Sequence, residues 1–338
     1  MSFPTAVFLD TSVFAGQQYN FSSTALASFV PAANKKGLKF LLPDPTAREV
    51  QRQIKERSDE ALKVIEEARR KAPFLSKWRY WPQKPDLLSP EWEVRKIARE
   101  EWETFLGQLD VVKLGYDGIR IETVMNWYDS VRAPFREGKK RKEFPDAFVI
   151  ASLSTYAAKT GTYVAVVSED QDFKAACEHF GSLLYFPSLP RLTELLLLDD
   201  AKIAGLRDTV VAGKNVIEVA IIDGPADLIF NHLDDKYSVN DASISSVQVT
   251  DVRIVGIGDR ECTVTFDAEI DFEADLEWKR WRDDPDEDYD IVYESVFDKA
   301  PISGTAKTEL NAEKTAITGV TYLSIDDPYI EITNEPYH

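Results

Sequence analysis

The spacing of apolar residues along the chain changes once, and the change divides it in two. In the first part, short apolar runs alternate with helical stripes. AVFLD (6 to 10), LKFLLP (38 to 43) and TYVAVVS (162 to 168) are brief runs bounded by polar or turn residues, the pattern of buried strands. Between them lie helical patterns. The longest begins at Asp44 as N-cap with Pro45 in first position and carries apolar Val50, Ile54, Ala61, Leu62, Ile65 and Ala68. Strands separated by helices predict right-handed crossovers and a parallel sheet. A loop rich in proline and aromatic residues follows at 73 to 92, and residues 188 to 214 read as helical.

Past that stretch the period becomes two. From Cys262 to Trp278 every even position is apolar, and every odd position from Thr263 to Glu277 is Thr, Asp or Glu. Such a strand has one buried and one solvated face. With VQVTDVRIVGIGDRE and its Gly-Asp turn ahead of it, it predicts an antiparallel hairpin.

A chain of 338 residues exceeds the usual single-domain size. The expected organisation is a domain at 1–190, a helical connector at 191–215 and a smaller domain at 216–338. The first is α/β, a Rossmann-like parallel sheet flanked by helices; the second is α+β with an antiparallel sheet.

Charge sharpens this division. The net charge is -18, yet residues 216–338 alone hold 29 acids and 9 bases, which leaves 29 acids and 31 bases in residues 1–215. The acidity belongs to the second domain. In the first, Arg132, Arg136, Lys139, Lys140, Arg141 and Lys142 crowd into eleven residues, and a local basic run can recruit phosphate whatever the total charge. Its bland alternative is a solvated turn.

Other chemistry is scarce. Cys177 and Cys262 are far apart without CxxC spacing, and only His179, His232 and His338 offer imidazoles, so neither a zinc site nor a disulfide framework is expected. No run of eighteen apolar residues occurs, and the first residues lack the basic region and apolar core of a signal peptide. No membrane partner and a cytoplasmic location are the expectations.

Four acids then stand out by position. Residues just beyond the carboxyl ends of strands in an open parallel sheet converge on one crevice. Asp10 ends the first strand, Glu49 lies one turn into the helix after the second, Asp146 opens the helix before the third, and Asp170 follows that strand, with Asp172 close behind. Each has a dull reading as a helix cap, a dipole partner or a solvated acid. Together they ask for a cation, because clustered carboxylates repel unless one intervenes. Oxygen ligands without histidine or cysteine favour Mg²⁺ or Mn²⁺. Two such ions about 3.5 to 4 Å apart can activate water and stabilise the leaving oxygen of a phosphodiester.

LDTSVF with Asp10, Glu49 after the second strand, FPDAFVIASL with Asp146 and VVSEDQDF with Asp170 resemble, in order, the four acidic motifs of PIN-domain nucleases. The basic loop directly ahead of the third acid is similar to a bacterial PIN-like subgroup larger than the small toxin ribonucleases. The resemblance covers roughly residues 5 to 190 and implies a PIN-like fold with metal-dependent endoribonuclease activity. Asp10, Asp146 and Asp170 would be metal ligands, Glu49 a ligand or water-orienting base, and Thr11 a hydroxyl that orients the site. Asp172 shares or replaces the role of Asp170. The basic residues at 132 to 142 would bind substrate.

The partner implied is RNA, with DNA and a second copy of the chain left open. A haloacid-dehalogenase-type phosphatase would need an Asp where Ser12 stands. A catalytically silent PIN-fold binding module would have lost acids that are all present here. On the long strand Asp267, Glu269, Asp271, Glu273, Asp275 and Glu277 share one face; that face is either solvated, a site for a basic protein partner, or a competitor of RNA for the basic loop.

Overall fold

A computed structural model describes residues 3–72, 74, 77, 91–136, 143–198, 204–224, 228–234, 236–281 and 289–334. The chain forms two compact units, Met1–Leu192 and Thr193–His338. The aromatic loop expected at 73–92 lies outside the described residues apart from Phe74, Lys77 and the start of a helix at Glu91.

The first unit contains β1 (Ala6–Leu9), α1 (Thr11–Gly16), α2 (Thr24–Lys35), β2 (Lys39–Pro43), α3 (Asp44–Lys71), α4 (Glu91–Gly107), β3 (Asp110–Leu114), α5 (Ile121–Asp129), α6 (Phe144–Thr160), β4 (Val164–Val167), α7 (Gln171–Cys177) and β5 (Leu183–Phe186). Its five strands lie in the order β3-β2-β1-β4-β5, and every pairing is parallel. The three runs legible as strands form the middle of the sheet. β1 and β4 are buried at every position, so their side chains meet helices on both faces.

Edge strands β3 and β5 went unread in the sequence. Their burial is partial, and partial burial leaves no uninterrupted apolar run. The chain builds outward from β1 through β2 to β3, then crosses back to β4 and β5. The sheet therefore reverses its direction of growth between β1 and β4, the switch point at which open α/β sheets form their crevice.

Two details of α3 correct the expectation. Asp44 is the first helical residue, and Pro43 takes the N-cap position. Of the apolar stripe, Val50 and Ile54 are buried, whereas Ala61 is exposed and Leu62, Ile65 and Ala68 are only half-buried. Only the first turns of α3 face the core. There α4 packs, and its Trp102 and Phe105 stack at 5.8 Å between ring centres and meet Phe14 of α1 edge-on.

α8 (Leu189–Leu198) carries the chain into the second unit, where α9 (Ala204–Ala212) and α10 (Lys214–Asp223) precede β6 (Ile229–His232), β7 (Ser238–Ile257), β8 (Glu261–Trp281), β9 (Tyr289–Leu310), β10 (Ile317–Ile325) and β11 (Tyr329–Ile332). The long strands form an antiparallel sheet in the order β10-β9-β8-β7, and β11 pairs with β6 in parallel. The stretch read as a connector is helical, and Leu206, Val210, Ile217 and Ile221 of α9 and α10 lie in this unit's core with the apolar face of β8. On the opposite face of β8 the acids meet cations and hydroxyls. Arg253 bridges Asp251 and Asp267, Lys299 pairs with Glu269 and Asp271, and Ser246, Ser295 and Ser303 donate to Asp271, Asp275 and Asp267. The self-repulsion expected of the aligned acids is offset at Asp267, Glu269, Asp271 and Asp275. Among the described residues no helix is long and apolar enough to cross a membrane.

Candidate metal centre

Asp10 sits where β1 stops and α1 begins. Its carboxylate is the N-cap of α1, accepting from the Thr11 N–H at 2.7 Å, and the helix-cap reading is therefore correct as far as it goes. Two hydroxyls add what a cap does not need. Ser12 Oγ donates to Asp10 Oδ2 at 2.6 Å and Ser168 Oγ at 2.8 Å, so the carboxylate is held at three points although it is only 9 % exposed. Thr11 Oγ1 lies 3.4 Å from Oδ1, a weak contact; its backbone N–H contributes more.

Ser168 follows β4 and is fully buried. Besides donating to Asp10 it accepts from the Asp170 N–H at 3.1 Å, which ties the ends of the two adjacent central strands together. Asp170 caps α7 by accepting from the Asp172 N–H at 2.8 Å. Asp172 is 1 % exposed and forms an ion pair with Arg136. Glu143, Asp170 and Asp172 each present a carboxylate oxygen within 4.8 Å of the others.

Asp146 lies in the first turn of α6, behind Pro145. Its pKa is pushed up from the carboxylate range to about 8, first by burial, then by a hydrogen bond with Glu143 and by the charges of Asp10, Glu143 and Glu49. The same causes show which acids share its surroundings. Glu49, half-buried on α3, accepts from Gln53 Nε2 at 3.2 Å and from Arg52 at 3.4 Å, and Gln53 in turn accepts from the Tyr19 hydroxyl at 2.9 Å. Burial, followed by the charge of Glu49, raises the Tyr19 phenol to about 12, which keeps it a donor.

Of the four acids expected at the strand ends, Asp10 and Glu49 act by their charge on Asp146, while Asp170 lies with Asp172 and Glu143. Glu143 was missed. In KKRKEF it looks like one more charge of the loop, and its only sequence signal is an acid three places before Asp146 on a proline-initiated helix. Ser12 and Ser168 were missed as well, since a serine beside an acid is too common to mark a site.

In the basic loop, Arg136, expected to bind substrate, forms an ion pair with Asp172 and so stands beside the carboxylate cluster. Arg132 stands over the rings of Trp127 and Phe180 at 5.9 and 5.6 Å, which fixes its guanidinium at the base of the loop. Lys139, Lys140, Arg141 and Lys142 lie outside the described residues.

Chemically, the centre is a set of oxygen donors with no imidazole or thiolate, held by second contacts and drawn together at an electrostatic cost. A half-buried, proton-retaining Asp146 and a fully buried Asp172 are what a hard divalent cation would relieve. The donor set fits such an ion.

Residues 7–173 match the PIN domain family. The match lies within the first unit, and PIN domains are generally nucleases. Comparison of the chain with curated proteins and with solved structures gives no match.

Proposed function

We propose that the PIN domain is a divalent-metal-dependent endoribonuclease that hydrolyses phosphodiester bonds of RNA. The observation that carries this reading, beside a match to a family of nucleases, is a set of neighbouring carboxylates: Glu143, Asp170 and Asp172 lie within 4.8 Å of one another, and Asp146 feels the charges of Glu143, Asp10 and Glu49. Asp10, Asp146 and Asp170 would hold Mg²⁺ or Mn²⁺, with Glu49, Glu143 and Asp172 completing the oxygen shell. The bound metal supplies a water of lowered pKa and neutralises charge at the leaving oxygen.

The chain's own residues do the rest. Ser12, Ser168 and the Thr11 N–H fix both oxygens of Asp10, so that its lone pairs are presented without a search over rotamers. Gln53 orients Glu49 from behind. Arg136 supplies a counter-charge to the buried Asp172 carboxylate. Arg132, braced on two rings, and the lysines that follow draw the substrate phosphates. RNA as substrate, the cytoplasm as place of action and a basic protein for the acidic sheet face belong to the same reading.

The test is a cleavage assay of the purified chain on labelled RNA, single-stranded DNA and duplex DNA with Mn²⁺, Mg²⁺ or EDTA. RNA should be cut only with metal, and Asp10→Asn should abolish cutting while leaving the fold intact. Cleavage that persists in EDTA or in Asp10→Asn would refute the metal-nuclease reading, and cleavage of DNA alone would refute the choice of RNA.

A further inference from the structure

Away from the carboxylates, α3 and α4 enclose a second feature. A cavity of about 590 Å³ between them is lined by Arg48, Arg52 and Lys55 from one helix and by Arg95, Arg99 and Trp102 from the other. On each helix the spacing is i, i+4, i+7, one face in both cases. Five cations thus line one concavity. Arg48, Arg52 and Arg95 have carboxylate neighbours in Asp44, Glu49 and Asp59, whereas among the described residues no ion-pair partner reaches Lys55 or Arg99. Solvation alone would account for cations on two separate helix faces. It gives no reason for the two faces to converge, since like charges brought together repel unless an anion joins them.

The cavity does not end there. Arg48 and Arg52 also line a neighbouring hollow of about 640 Å³, whose other walls include Glu49, Tyr116, Phe144, Pro145 and Phe148. Tyr116 and Phe148 meet edge to face at 5.6 Å, and Phe144 and Pro145 directly precede Asp146. An aromatic hollow beside Glu49 and Pro145 therefore shares two arginines with a cationic cavity. From Arg48 to Lys55 the axis of α3 rises about 10 Å, the span of about three stacked nucleotides.

We propose that this groove seats one flank of a single RNA strand, with an unpaired base in the Tyr116–Phe148 hollow and the following phosphates on Arg48, Arg52, Lys55 and Arg99. Alternating rings and cations is how single strands are held without sequence readout. The proposal rests on the nuclease reading for its occupant, and it adds a binding subsite built by the long α3 and by α4. It predicts a substrate with several unpaired nucleotides on one side of the cut.

The test uses the full chain. Lys55→Gln/Arg99→Gln alters two exposed helix positions that touch neither the acids nor the core. In an Asp10→Asn background, binding of labelled oligouridylates of about 12 and about 4 nucleotides is followed by anisotropy against salt. Loss of two single-strand phosphate contacts should flatten the slope of log K against log salt by about 1.4 and weaken the longer oligomer by about 25-fold at about 0.1 M salt. The short oligomer should bind alike to both proteins. In the cleaving chain the double substitution should raise KM for the longer RNA and leave kcat unchanged, and Tyr116→Ala should narrow the preference for single strands over duplex. An unchanged slope overturns the proposal, as does equal weakening for duplex RNA or weakening for single-stranded DNA alone. If RNA binding depends on Lys55 and Arg99 but the wild-type chain never cleaves, the strand site stands and the nuclease reading falls.

Discussion

Replacing Asp146 by Asn should make the metal-free protein more stable at alkaline pH, the reverse of what loss of a hydrogen-bonded polar group usually does. In the folded chain the carboxyl keeps its proton to about 8, against 3.8 for an ordinary Asp. A raised folded pKa means that the group's contribution to stability is complete below about pH 4 and is lost as pH climbs through 8. Each pH unit in that window costs about 1.4 kcal/mol, so the ceiling is on the order of 5 kcal/mol, shared with its hydrogen-bond partner Glu143. The amide of the variant cannot ionise and escapes the loss. Urea unfolding in EDTA should therefore show the two proteins nearly equal at about pH 4.5 and the variant ahead by a few kcal/mol at about pH 8.5. Adding Mn²⁺ at the higher pH should narrow the gap, because an ion at 100 times its Kd contributes about 2.7 kcal/mol to the protein that binds it and less to the variant. A difference that does not change with pH, or an Asp146→Asn protein less stable than wild type in EDTA at about pH 8.5, would refute the claim that these acids are assembled at an electrostatic cost.

Three further outcomes follow from single contacts. Ser168→Ala removes a fully buried hydroxyl shared by Asp10 and Asp170, and should lower kcat for RNA about tenfold with KM little changed, alongside a stability loss of about 1–3 kcal/mol measured by urea unfolding. Arg136→Gln strips the cation from a buried Asp172 and should cost about 2 kcal/mol in EDTA but distinctly less in Mn²⁺; equal losses in both would show that Arg136 does not stand in for a metal's charge. In the second unit, Gly304→Ala would set a Cβ 2.4 Å from the Ser324 carbonyl and 2.8 Å from the Phe266 ring, so a loss of about 1–3 kcal/mol is expected, and an unchanged denaturation midpoint would mean that β9 can move away from β8 and β10.

What could be read in the sequence follows from which contacts are local. A strand buried on both faces must be an apolar run, so β1, β2 and β4 were visible, while β3 and β5 lie at the sheet's edges and needed only part of that signal. The seventeen-residue alternation in β8 was visible for the complementary reason, one face in the core and one in water. Asp10, Glu49, Asp146 and Asp170 could be found because a parallel sheet sends every strand end to the same side. Contacts made by packing leave no such period. Nothing local distinguishes Glu143 from the lysines before it, or Arg136 from the other cations of its loop, until α6 and α7 bring them against Asp146 and Asp172. The same holds for the cations of α3 and α4. Arg48, Arg52 and Lys55 on one helix, or Arg95 and Arg99 on another, are ordinary surface spacing. Only the packing of one helix on the other turns two solvated stripes into a cavity, and only the shared walls at Arg48 and Arg52 lead from it toward the acids. A cluster of carboxylates can thus be legible from topology while a cavity between helices is not, because strand ends converge by fold class and cavities depend on which helix faces happen to meet.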